Sequence, residues 1–143
     1  MSCQTKLCNL IADNFIGYFK THVYHFNITG PEFFQYHELF SEVYEYLFDN
    51  HDSLSEQLRQ MDVKVPGSLE MYLKESLITP NAKEQRASDM LAATLKVLDI
   101  LHETAQKLYE EAGTEGHGAL ETYIGDYMMG VSKLQWKVKS CLI

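Results

Sequence analysis

The chain has 143 residues, 45% of them apolar, and its 12 Lys and Arg against 20 Asp and Glu give a formal net charge of −8. That length suits a single domain over residues 1–143 with one core of its own, and the composition excludes a disordered or fibrous chain. The acidic balance, with no cluster of Lys or Arg at either end, argues against tight association with DNA, and no apolar run approaches the ~20 residues of a membrane span.

From the N-terminus, residues 4–27 carry Leu7, Ile11, Phe15 and Tyr18 on one helical stripe, and His25, five turns past Leu7, points inward with them. Asn9 and Asp13 interrupt the apolar run at the start, so no signal peptide is expected. Thr29, Gly30 and Pro31 break the chain. A second helix is expected over residues 31–62, with Phe40, Tyr44, Leu47, Leu54 and Leu58 on its inner face. Breaks around Pro66 and Pro80 bracket a short helix over 68–77. The third long helix spans 82–112 on Leu91, Leu95, Leu98, Leu101, Ala105 and Leu108. The fourth spans 117–141 on Leu120, Ile124, Tyr127, Val131, Leu134 and Val138. Gly125 and Gly130 make it the least secure, at ~1 kcal/mol each relative to alanine. The expected class is all-α: a four-helix bundle with a short extra helix in the crossover between its second and third helices.

The odd number of cysteines, Cys3, Cys8 and Cys141, and the lack of a CxxC pair indicate neither a disulfide framework nor a structural zinc site, so a reducing cytoplasm is expected. Chemistry concentrates at the first break and in the second helix, in His25, His37, Asp52 and Glu56. Imidazole with carboxylate suits iron, zinc or manganese. Asp52 and Glu56 are spaced i, i+4 and project from one side. His37 and Asp52 lie ~22 Å apart along a straight helix, yet only ~60° apart around it. They cannot hold one ion within a chain. Two copies of this helix packed antiparallel about a two-fold axis would bring His37 of one chain to Asp52 and Glu56 of the other, giving two equivalent sites. Glu-x-x-His, the signature of an intrachain di-iron centre, is absent, and Asp99 with His102 is the sole Asp-x-x-His. His22, His51, His102 and His117 are read as structural, an orienting contact from His51 to its neighbour Asp52 being the less favoured alternative.

These segments carry a family resemblance. HFNITGPEFF at 25–34 is similar to the His-Trp-Asn-Val-x-Gly-x-x-Phe stretch of the Dps mini-ferritins; YHELF at 36–40 and Asp52-x-x-x-Glu56 follow at the family spacing, and LQWKVKSCL at 134–142 resembles the family's closing helix. The resemblance covers nearly the whole chain. It implies a ferritin-like bundle assembled as a homo-oligomer, a dodecameric shell. It also implies ferroxidase centres between subunits that oxidise ferrous iron, preferentially with hydrogen peroxide, detoxify both under oxidative stress and store ferric mineral. The ligands carried over are His25 and His37 from one subunit and Asp52 and Glu56 from its neighbour. Four positions depart from the pattern. Ser41 stands in place of an aspartate that would help hold a second metal, and Phe26 in place of a tryptophan. Thr114 and Ala119 replace aspartates near the expected ion-entry pore, with Glu115, Glu121 and Asp126 nearby. The alternatives left open are a shell whose ferroxidase activity is impaired or lost, and a nucleoid protein that shields DNA.

Overall fold

The computed structural model describes residues 2–143 and contains five helices: α1 (Cys3–Asn27), α2 (Phe33–Gln60), α3 (Leu69–Glu75), α4 (Ala87–Thr114) and α5 (Gly118–Cys141). There is no strand among the described residues. α1 pairs with α2 and α4 with α5, while α1 packs on α4 and α2 on α5, closing a four-helix bundle with the short α3 laid against α1.

The helix ends follow local chemistry. Ser2 Oγ accepts from Thr5 N–H at 3.1 Å and starts α1, and Ser68 Oγ accepts from Met71 N–H at 3.3 Å to start α3. α4 begins at Ala87, five residues later than its apolar pattern suggests. The intervening chain is pinned to α1 instead: Lys20 Nζ donates to Thr79 O at 2.9 Å, and the Tyr24 hydroxyl donates to Glu84. α4 ends in a left-handed turn at Gly116 (φ 76°), where His117 N–H returns to Ala112 O at 2.8 Å.

The apolar stripes meet as the pattern dictates: Leu7 and Ile11, Phe40, Leu47, Leu54 and Leu58, Leu98, Leu101 and Leu108, and all six named positions of α5 are buried together. α5 is unbroken through both glycines. Gly130 has a packing reason: a Cβ there would overlap the phenol of Tyr46, whose hydroxyl crosses the helix to donate to Tyr127 O at 3.0 Å. Four polar residues of α1 are buried, Asp13, Asn14, Lys20 and Thr21, and two of them join helices. The Asn14 amide donates to Leu47 O at 2.7 Å and accepts from the Tyr127 hydroxyl at 2.8 Å, lacing α1 to α2 and α5. Asp13 accepts from Ser76 Oγ, Leu77 N–H and Thr104 Oγ1 at 2.8–2.9 Å, tying the end of the crossover to α1 and α4. No helix among the described residues is long and apolar enough to cross a membrane.

Candidate metal centre

His25 closes α1 and His37 opens α2, so the five-residue connection brings their rings into a stack with centroids 3.8 Å apart and planes inclined by 18°. Each imidazole is tied to the other's backbone: His25 Nδ1 lies 2.9 Å from His37 O, and His37 Nδ1 lies 2.7 Å from His25 O. A carbonyl oxygen only accepts, so both Nδ1 atoms carry the proton and both Nε2 atoms keep a lone pair. This is the tautomer a metal-ligating histidine needs, fixed by the partner on its other nitrogen. Ser41 completes the clasp. Its Oγ accepts from His25 Nδ1–H at 2.9 Å and donates to His37 O at 3.2 Å. The hydroxyl thus lies on the Nδ1 side of the pair and orients the rings.

His25 is half-buried rather than inward as its stripe predicts, because the bundle core ends below it and His37 covers it instead. An aromatic layer continues along α1 and α2: Tyr44 stacks on His22 at 3.8 Å and meets His25 edge-on at 5.1 Å, and Phe26 stacks on the other side of His22 at 4.5 Å. Tyr18 donates to or accepts from His22 Nδ1 at 3.0 Å. Phe26 is exposed beside His22 and His25, and Phe48, in contact with Tyr18, is exposed further along the same layer. The apolar stripe read from α2 includes Tyr44 as an inner residue; it lies instead in this half-exposed layer.

Asp52 and Glu56 sit on the outer face of α2, both exposed. The Asp52 carboxyl one turn away on the same face pushes the Glu56 carboxyl above its usual value. Two carboxylates held this close without a cation between them repel. His51 does not orient Asp52. Its ring packs against Phe15 and Tyr72 at 5.4 and 6.3 Å, and its buried Nδ1 has no hydrogen-bond partner among the described residues. The histidine pair and the carboxylate pair lie at opposite parts of α2, and the described residues do not gather them into one cluster.

One mixed cluster does form elsewhere. Cys3, Glu115 and His117 hold a thiol, a carboxylate and an imidazole within 4.8 Å of one another. Of the acidic residues near the expected pore, Glu115 is thereby committed to α1, accepting from Cys3 N–H at 2.8 Å. That bond, above other contributions, holds its carboxyl below the usual range. Residues 112 positions apart leave no local spacing by which the sequence could reveal this contact.

The sequence profile of the ferritin-like domain matches residues 4–142. The chain is 26% identical to the DNA protection during starvation protein of Helicobacter pylori, over 95% of each chain. Its structure superposes on the DPS protein of Vibrio cholerae with a TM-score of 0.94 at 28% identity, covering 99% of this chain and 89% of that one. That protein is described as a member of a broad superfamily of ferritin-like diiron-carboxylate proteins. The Dps protein of Staphylococcus aureus gives a TM-score of 0.93 at 26% identity, covering 99% and 95%. With the profile matched from end to end and Dps proteins alike in both sequence and structure, the chain belongs to the ferritin-like family, in its Dps branch.

Proposed function

We propose that this protein is an iron-oxidising, iron-storing mini-ferritin whose ferroxidase centre is divided between two copies of the chain. The observation that carries the reading is the pair of prepared half-sites. The corner between α1 and α2 offers the imidazoles of His25 and His37 with their Nε2 atoms turned away from the backbone bonds, and the far part of α2 offers the two exposed carboxylates of Asp52 and Glu56. One helix cannot fold these ends together. An antiparallel two-fold pairing of α2 does so twice, with His25 and His37 from one subunit facing Asp52 and Glu56 of the next. The exposed Phe26, beside His25, and the exposed Phe48, further along α2, give such a pairing apolar surface to bury. A dodecameric shell in the cytoplasm is the assembly that the family membership favours.

Ferrous iron is the substrate. Carboxylate oxygens and neutral imidazoles bind it without a thiolate, which suits an ion that must change oxidation state and then leave for the mineral. Each of two ferrous ions gives one electron, the two electrons cleave the O–O bond of hydrogen peroxide, and the ferric product hydrolyses with release of protons to solvent. In this chain the Ser41 hydroxyl and the two carbonyls hold the imidazoles in the ligating tautomer throughout.

Mixed shells test the divided site. A His25→Ala/His37→Ala subunit and an Asp52→Ala/Glu56→Ala subunit are each expected to be inactive alone. At an interface between the two, one site has all four ligands and the other none, so exchange of subunits should restore part of the rate of iron oxidation. A mixture as inactive as its parents after verified exchange would overturn the proposal.

A further inference from the structure

We propose that Cys3, Glu115 and His117 form a second cation site, selective for a thiophilic divalent ion of the zinc and cobalt(II) class and separate from the iron-oxidising half-sites. It stands independently of how iron is handled. The three ligands come from two segments: Cys3 from the first turn of α1, and Glu115 and His117 from either side of the left-handed turn at Gly116. Both segments are held in place by main-chain bonds, Cys3 N–H to Glu115 Oε2 at 2.8 Å and His117 N–H to Ala112 O at 2.8 Å.

Capping of α1 accounts for Glu115 Oε2 but for nothing else in the cluster. The other oxygen, Oε1, faces His117 Nε2 across 3.7 Å. That gap is too long for a hydrogen bond; it is an ion pair when the imidazole is protonated, and it lies just above the roughly 3.3–3.5 Å that separates N and O ligands on zinc at bonds of about 2.0–2.2 Å. His117 begins α5 without capping it through its side chain. Lys6, the nearby cation, is engaged with Glu111 at 3.6 Å. Cys3 is fully buried, with its Sγ within 4.8 Å of the Glu115 and His117 ligand atoms. There Glu115 and His117 line a hollow of about 390 Å³ that also includes Ser2, Gln4, Gln60 and Met61, with room for water as a fourth ligand. The donor set decides the ion. Thiolate with imidazole selects zinc over magnesium, calcium or manganese, whereas the iron half-sites carry no sulfur. As the Sγ–metal bond forms, the thiol gives up its proton to solvent. The bound ion would fasten the start of α1 to the α4–α5 turn.

Cobalt(II) titration of the assembled protein reads this site directly, because a thiolate ligand gives a near-ultraviolet charge-transfer band that oxygen and nitrogen ligands do not. The band is expected in the wild type, in the His25→Ala/His37→Ala variant, and in Cys8→Ser and Cys141→Ser. It should vanish in Cys3→Ser. In His117→Ala, an exposed position where folding is not at stake, cobalt should bind at least about tenfold more weakly, the loss that removing even an outer partner of a metal site brings. Zinc should raise the melting temperature of the wild type and not that of Cys3→Ser. No charge-transfer band in the wild type, or a band unchanged in Cys3→Ser or with undiminished affinity in His117→Ala, would overturn the proposal.

Discussion

Ser41 shows how one side chain alters the character of a site. The hydroxyl is neutral and is occupied by His25 Nδ1 and His37 O, so it contributes orientation and no charge to a bound cation. An aspartate at this position would bring a full negative charge one turn beyond His37. Ser41→Asp is therefore expected to raise iron occupancy per site and to speed peroxide consumption, measured by anomalous scattering from soaked crystals and by stopped-flow absorbance. Two equally occupied iron positions beside an unaltered Ser41 would contradict this account. Asp13 illustrates a different balance. Burial pushes its carboxyl above 3.8, although bonds from Leu77, Ser76 and Thr104 favour the ionised form. A raised folded-state value means that the group's contribution to stability is fullest below 3.8 and is lost as pH rises through the folded value. Asp13→Asn keeps an acceptor and removes the charge, so the stability difference between the variant and the wild type should shift toward Asn as pH rises from the ordinary aspartate range through the raised folded-state value. Asp13→Ala leaves three donors unanswered and is expected to cost ~2–4 kcal/mol in urea unfolding.

Among the elements, α5 answers its own weakness. Two glycines lower its intrinsic helicity, but Gly130 makes room for the Tyr46 ring, and the bond from Tyr46 to Tyr127 O joins α2 to α5. Gly130→Ala gains ~1 kcal/mol in helix propensity and must displace a packed phenol, at ~1–3 kcal/mol. Net destabilisation is expected, read as a lower melting temperature, and Tyr46→Phe in the same background should recover part of it by removing the hydroxyl that collides. A melting temperature above that of the wild type would show that the phenol moves freely. The connection between α1 and α2 is as consequential. Its length sets His25 over His37, and the reciprocal Nδ1 bonds make one rigid unit of two helix ends.

For the whole molecule, charge is the governing quantity. A net charge of −8 per chain is multiplied in any homo-oligomer, and no cationic tail offsets it. The protein is expected not to retain duplex DNA in a gel-shift assay at ~150 mM salt without divalent cations, since there is little counterion release to drive binding. Sub-micromolar retention under those conditions would contradict the expectation. The related protein of Helicobacter pylori is named for DNA protection; in this chain the proposed route to such protection is chemical, through removal of ferrous iron and peroxide.

Helical periodicity alone determined the all-α class, four long helices and the buried faces of α4 and α5, because apolar positions repeating every three to four residues have one way to meet. The i, i+4 placement of Asp52 and Glu56 was equally legible, being a property of a single helix. The ferritin-like identity of the fold followed from the residues between His25 and Glu56, which lie close together in sequence. What periodicity does not encode is which side chains meet across the bundle. It took the tertiary structure to turn His25 onto His37, to spend the Ser41 hydroxyl on the imidazole clasp, to leave His51 without a partner, and to delay α4 behind the tether from Tyr24 to Glu84. Cys3 meeting Glu115 and His117 is the extreme case. The contact joins the two ends of the bundle's sequence, and it exists only because packing α1 against α4 sets the start of one helix beside the end of the other.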